Sequence, residues 1–257
     1  MMDLKVSVVG FIIGVLVGLT GMGGGAVMTP ALILLGWARP LMAVGTDLMW
    51  GAITKSVGAF VHYRQGTVDL SIVKRLALGS IPGAVLGLTL LSYLHRHKGA
   101  ATDQLVVKVL GVALIIVALS LFIRTFRGSP GKSAHGGAAP RWPLWSISVL
   151  GAVVGFLVSM TSVGSGTLIV ACLVVVYPTT PLRRIVGSDI LHALILVGVS
   201  ALGHLSIGSV NFRLLAGLLL GSIPGVWLGS RMSLVFPEKV LRPVLAGTLL
   251  FLGYKLL

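Results

Sequence analysis

GFIIGVLVGLTGMGGG, from Gly10 to Gly25, returns as GAVVGFLVSMTSVGSG, from Gly151 to Gly166. Each is an apolar run that ends in a cluster of small residues, and the agreement extends outward from it. VGTD (Val44 to Asp47) recurs as VGSD (Val186 to Asp189), His62 matches His204, and Gly66 matches Gly208. GSIPG (Gly79 to Gly83) recurs unchanged from Gly221 to Gly225, with Gly87 and Gly229 following at the same spacing. The offset is 141 residues in the first block and 142 afterwards, a single-residue insertion. Agreement over such rare residue types marks a duplicated chain.

Composition fixes the solvent of the duplicated unit. Hydrophobic residues make up 56% of the chain and charged residues only 10%, far below the quarter or so of a soluble domain. Apolar stretches recur along nearly the whole length, so most of the chain belongs in lipid. The formal net charge of +14 is read as a topology signal rather than a nucleic-acid surface. Its bases sit mostly in short segments between the apolar runs, and no basic helix interleaves with aromatics. The single Cys172 excludes an internal disulfide and, with no metal cluster around it, reads as packing. The apolar run from Val6 to Leu19 is not read as a signal peptide, because its copy stands in mid-chain. No phosphate-cradling GKS/T motif is present, which argues against ATP hydrolysis.

Each half divides into five hydrophobic segments, roughly 4–20, 24–36, 42–62, 71–94 and 103–123, then 144–161, 166–178, 184–205, 211–232 and 239–257. The halves are taken as 1–123 and 144–257, joined by a flexible, basic, Gly- and Pro-rich linker over 124–143. The second segment of each half has about 13 residues, on the order of 20 Å of helix against a hydrocarbon core of about 30 Å. Paired short segments interrupted by glycine are the best sequence pointer to a transporter's binding site. The expected fold is therefore an all-α integral membrane protein of two inverted repeats. Each repeat has a broken or re-entrant hairpin and then three transmembrane helices, giving 8–10 hydrophobic segments in all. An odd number of spans per half, three or five, gives the halves opposite orientation. The base-rich face, with Arg64, Lys74, Arg75, Arg183 and Arg184, is expected to be cytoplasmic, which leaves both termini outside.

The glycine bends are the first candidate site. Broken backbone in hydrocarbon is tolerated only where it is buried in protein or lines a cavity. A helix that starts at such a bend aims free N–H groups at the cavity, which suits an anion. The candidates for binding are Thr20, Gly21, Gly23, Gly24 and Gly25 in the first half, and Thr161, Ser162, Gly164, Ser165 and Gly166 in the second. Close helix packing through small residues is the competing reading.

Asp47 and Asp189 are two of only six acids and stand in apolar surroundings, so either they handle a coupled proton or they are structural, capping the third helix of each half with Thr46 and Ser188 or making structural hydrogen bonds. Lys55 is either a countercharge for an anion or a snorkelling side chain, and direct pairing with Asp47 is not expected over the roughly 12 Å that eight helical residues span. It has no repeat partner, since position 197 is Val. His62 and His204 are either proton-handling or structural. Pro82 and Pro224 should kink the fourth helix of each half, with Ser80 and Ser222 placed to satisfy the freed carbonyl.

On these motifs, G-x-x-x-G-x-x-x-G-x-T-G-x-G-G-G, VGTD and GSIPGAVLG with their second-half echoes, the chain resembles the sulfite exporter TauE/SafE family, the four-toluene-sulfonate uptake permease group. The resemblance covers essentially all of both halves. It implies a secondary carrier in a bacterial-type inner membrane for small sulfur-containing or organic anions such as sulfite, sulfoacetate or other sulfonates. Export occurs in some members and uptake in others. Proton coupling and a homo-oligomer stay open, and no cofactor, metal or nucleic acid is implied. The second copy departs from the pattern at Ser159, Ser162 and Ser165, which replace glycines. An enzyme is not expected: the G-x-G-D signature of intramembrane aspartyl proteases is absent, since Val44 and Thr46 precede Asp47 and Val186 and Ser188 precede Asp189. A passive anion channel and a scaffold without transport remain the alternatives.

Overall fold

A computed structural model describes residues 2–20, 25–127, 143–177, 180–232 and 238–257. Among the described residues the chain is helical throughout, with α1 (Met2–Thr20), α2 (Gly25–Leu34), α3 (Pro40–Arg64), α4 (Leu70–Lys98) and α5 (Ala100–Arg127) in the first half. The second half repeats the order with α6 (Leu144–Thr161), α7 (Thr167–Val176), α8 (Leu182–Ser206), α9 (Phe212–Met232) and α10 (Glu238–Leu256). Helix α5 runs past the expected boundary at 123 to Arg127, and the rest of the linker, 128–142, lies outside the described residues.

The short helices are shorter than the apolar runs suggest. Both α2 and α7 have ten residues, about 15 Å against a hydrocarbon core of about 30 Å. Among the described residues, four helices are long and apolar enough to cross a membrane: Leu70–Lys98, Ala100–Ile123, Leu182–Ser206 and Phe212–Met232. Their outer faces are apolar where a soluble protein would be polar, with Leu78 72% and Leu220 74% exposed. This is a multi-pass membrane protein.

Local signals recur between the halves. Asp69 caps α4, its Oδ1 accepting from the backbone N–H of Ser71 at 2.9 Å and of Ile72 at 3.4 Å. Asn211, its repeat counterpart, accepts at Oδ1 from the N–H of Leu214 at 3.0 Å. Ahead of these caps α3 and α8 end in the same turn, at Gly66 (φ 65°) and Gly208 (φ 75°), a left-handed conformation that favours glycine.

Packing exchanges the halves. Helix α1 lies on α9 and α6 lies on α4, while α3 pairs with α8 and α5 with α10. The first two contacts are parallel zippers of small residues. Gly10, Gly14 and Gly18 of α1 meet Leu218, Ser222 and Val226 of α9 in turn, and Gly221, Gly225 and Gly229 return the contact to Ser7, Phe11 and Val15. Gly79, Gly83 and Gly87 of α4 do the same against Ser148, Ala152 and Phe156 of α6. Backbones this close leave no room for a Cβ, so these glycines are packing residues.

The α3–α8 seam is antiparallel: Gly45 meets Ser209, Gly51 meets Val197, Gly58 meets Ile190, and Thr67 meets Gly187. Reciprocal hydrogen bonds close both of its ends, with Thr46 Oγ1 accepting from Asn211 N–H at 3.0 Å and Ser188 Oγ accepting from Asp69 N–H at 2.7 Å. One core cluster runs across both halves, from Leu48 and Leu76 to Val158 and Leu196.

Gly83→Val drives a side chain into the Ala152 backbone, whereas Gly247 has open space around it. Thermal unfolding in detergent should show Gly83→Val less stable by about 1–3 kcal/mol or more, and Gly247→Ala unchanged.

Candidate functional site

The second bend can be followed residue by residue. Helix α6 stops at Thr161, whose Oγ1 donates to Leu157 O at 2.7 Å and accepts from Val163 N–H at 3.2 Å. Ser162 turns the chain in the left-handed conformation (φ 62°), and Gly164 follows at φ 106°. The next helix begins at Thr167 with Gly166 before it and no side-chain cap, so its first N–H groups remain open to whatever enters from that side. Helix α2 starts at Gly25, whose missing Cβ lets its backbone lie against the carbonyl of Ser162. The start of one short helix thus abuts the bend that precedes the other.

A cavity of about 30 Å³ opens between them, room for one or two waters. Thr20, Gly25, Ser162, Gly164, Ser165 and Gly166 line it, together with Asp47 and Lys55. Of the residues expected to bind, Thr161 does not line this space and spends its hydroxyl within the bend. Gly21, Gly23 and Gly24 lie outside the described residues.

Asp47 is 1% exposed. Its Oδ2 accepts from Thr29 Oγ1 at 2.5 Å and the Ser162 side chain lies alongside, while Oδ1 has no hydrogen-bond partner. Asp189, 4% exposed, likewise has an unpartnered Oδ1. Burying a carboxylate oxygen without a donor is costly.

The capping alternative for these acids does not hold. Helices α3 and α8 start at Pro40 and Leu182, about two turns earlier, and Thr46 and Ser188 serve the opposite half instead. The start of α3 is capped from α5 instead, where Asp103 Oδ1 accepts from Leu41 N–H at 3.1 Å. Lys55 points into the shared cavity and feels the charge of both Asp47 and Asp189.

The histidines divide. His204 is fully buried, with Nε2 2.8 Å from Ser159 O and Nδ1 2.8 Å from Ser209 Oγ. A carbonyl only accepts, so Nε2 carries the proton, and the ring ties the α8–α9 turn to α6 away from the cavity. His62 makes the equivalent contact, Nδ1 to Thr67 Oγ1 at 2.9 Å, within its own turn. Ser80 and Ser222 were expected to answer the carbonyls freed by Pro82 and Pro224, but their hydroxyls meet other side chains. Ser222 Oγ accepts from Trp50 Nε1–H at 2.6 Å, and Ser80 Oγ pairs with His192 Nε2 at 2.8 Å.

Trp50 and His192 escape a reading of the sequence, as does Thr29. The repeat alignment sets Trp50 against His192, but unlike residues at matched positions carry no signal until their partners, both serines, are seen to be matched too.

Comparison with known proteins follows from this geometry. The family model described as sulfite exporter TauE/SafE matches residues 6–256. The probable membrane transporter protein YjnA of Bacillus subtilis (strain 168) is 39% identical over the full length of both chains. YdhB of the same organism, also a probable membrane transporter protein, is 26% identical over 93% of this chain and 96% of its own. The probable membrane transporter protein ORF9 of Sinorhizobium sp is 26% identical over 97% of this chain and 90% of its own. No solved structure gives a significant match.

Thr29→Val removes the hydroxyl donor of Asp47. Unfolding in detergent should show a loss of about 1–3 kcal/mol, and most of that loss should vanish when the same change is made in Asp47→Asn.

Proposed function

The chain belongs to the sulfite exporter TauE/SafE family of membrane transporters, and from that premise we propose that it is a secondary carrier of small sulfur-containing or organic anions. Sulfite, sulfoacetate and other sulfonates are its substrate class, with export the expected direction and a proton the coupling ion. The observation that carries this reading is the cavity between the bend at Ser162 and the start of α2, which brings the starts of two short helices, one ammonium and one buried carboxylate to a single place. Open backbone N–H groups, the Ser162 and Ser165 hydroxyls and Lys55 are donors for an anion. Asp47, beside them with one oxygen unpartnered, is the proton carrier of this reading.

An inverted arrangement of the two halves is part of the proposal. The antiparallel α3–α8 seam supports it, because two equivalent helices that pack head to tail are related by an axis across them, which lies in the membrane plane. The exchange of α1 and α6 between halves supports it as well. Arg75 Nη1 donates to Tyr177 OH at 3.0 Å and Arg183 Nη2 to Gln65 Oε1 at 3.0 Å, so these bases gather at one end of the molecule. That end is proposed to face the cytoplasm.

The cavity is too small for a sulfonate as it stands, which favours a carrier that opens alternately over a channel with a standing pore. Uptake of labelled sulfite, sulfoacetate and taurine into proteoliposomes tests this. The expected result is saturable flux of at least one anion, driven by an imposed pH gradient and lost in Asp47→Asn. Non-saturating currents indifferent to the gradient would make it a channel, and no flux with any of these anions would leave the substrate class without support.

A further inference from the structure

Lys55 breaks the symmetry of the molecule at its centre. Its repeat counterpart is Val197, and both side chains line the same cavity. The register of the seam, Gly51 on Val197 and Gly58 on Ile190, sets Lys55 between the two acids. It lies about 12 Å along the helix from Asp47 and roughly 6 Å short of the level of Asp189. Each acid keeps one buried oxygen without a donor. The other lining elements offer nothing ionisable among the described residues, only groups such as Leu16 and Thr20 of α1, Val117 of α5 and Leu245 of α10. His192, one turn beyond Asp189 on α8 and near the level of Lys55 in the seam, meets Ser80 through Nε2 and keeps a buried Nδ1 without a partner, so it is the one further titratable group near the three charges among the described residues.

Two carboxylates and one ammonium leave a surplus negative charge in a buried place, and such a surplus is removed by a proton. We propose that Lys55 is a shared internal counterion, held between Asp47 and Asp189 in the empty carrier and given over to the anion on loading, so that every monoanion bound draws one further proton onto the acid pair. This rests on the carrier reading above and adds the origin of its coupling. The empty site is neutral with one proton on the pair. A bound monoanion takes the ammonium, and the second carboxylate, left without compensation, accepts a proton from the aqueous side to which the cavity is then open. The loaded site is neutral again with two protons, and release on the far side returns both anion and proton. One lysine suffices because it sits within a turn of the point where α3 meets its own counterpart, so it is within Coulombic reach of both acids. Coupling should survive moving the cation to the mirrored position.

The experiment uses the full chain in proteoliposomes with labelled sulfite or sulfoacetate outside and a pH-sensitive dye inside, so that anion and proton fluxes are read together. Lys55→Met should lower anion flux about tenfold or more, the loss expected for one charge-assisted contact, while Lys55→Arg keeps coupled flux. The double variant Lys55→Val with Val197→Lys should restore coupled flux toward the wild-type level. Coupled flux in Lys55→Met at the wild-type ratio overturns the proposal. So does a folded, monodisperse double variant that stays inactive, and that arm decides the matter if Lys55→Met fails to fold. Wild-type anion flux with no proton movement removes the counterion but leaves the carrier, whereas absence of any wild-type anion flux removes the carrier reading itself.

Discussion

Backbone polar groups cannot be left unpaired in hydrocarbon, and the rest of this structure depends on how that constraint is met at the two short helices α2 and α7. Two ten-residue helices that stop short of crossing need their ends buried in protein. The glycine zippers supply the burial. Helix α1, which precedes α2, is clamped on α9, and α6, which leads into the bend at Ser162, is clamped on α4. The helix ahead of each short helix is thus held by a long helix of the opposite half. The exchange makes the halves inseparable, and a single core runs through both.

With the hairpins clamped from outside, the space between them is set by α3 and α8. Their seam is closed at each end by a hydroxyl, Thr46 or Ser188, that accepts from the first residue of the next helix's cap, Asn211 or Asp69. The same two helices contribute Asp47, Asp189 and Lys55. A seam pinned at both ends fixes where these charges lie relative to the bends. A second matched pair, Trp50 with Ser222 and His192 with Ser80, ties the seam to the proline-bearing helices α4 and α9. Movement of a proline helix would therefore be felt one turn from each acid, which gives an alternating mechanism a physical linkage.

Departures from strict duplication sit where chemistry would need them. The zippers, turns and caps repeat with little change, because packing and backbone geometry impose the same demand on both halves. The cavity does not repeat. Lys55 faces Val197 across it, Ser162 and Ser165 stand where the first half has Gly21 and Gly24, and Asp47 reaches the lining while Asp189 does not.

Periodicity and repetition in the sequence determined the helical membrane fold, the short second helix of each half and the bend at Ser162, and they singled out the two acids, because burial in lipid leaves few ways to arrange apolar runs and makes each charge conspicuous. Self-comparison also found the glycines of α4 and α9, although only the structure showed that those of α9 pack on α1 and those of α4 on α6. Tertiary structure alone decided what depends on a second helix. Asp47 and Lys55 stand eight residues apart on α3, and nothing along that helix reveals that Asp189 approaches from α8 or that Thr29 of α2 serves one acid oxygen. Ser80 and Ser222 were legible as polar residues beside prolines, yet their partners came from the opposite half. Spacing within one helix fixes a face and a height, whereas the electrostatics of a buried group are set by what is packed against that face.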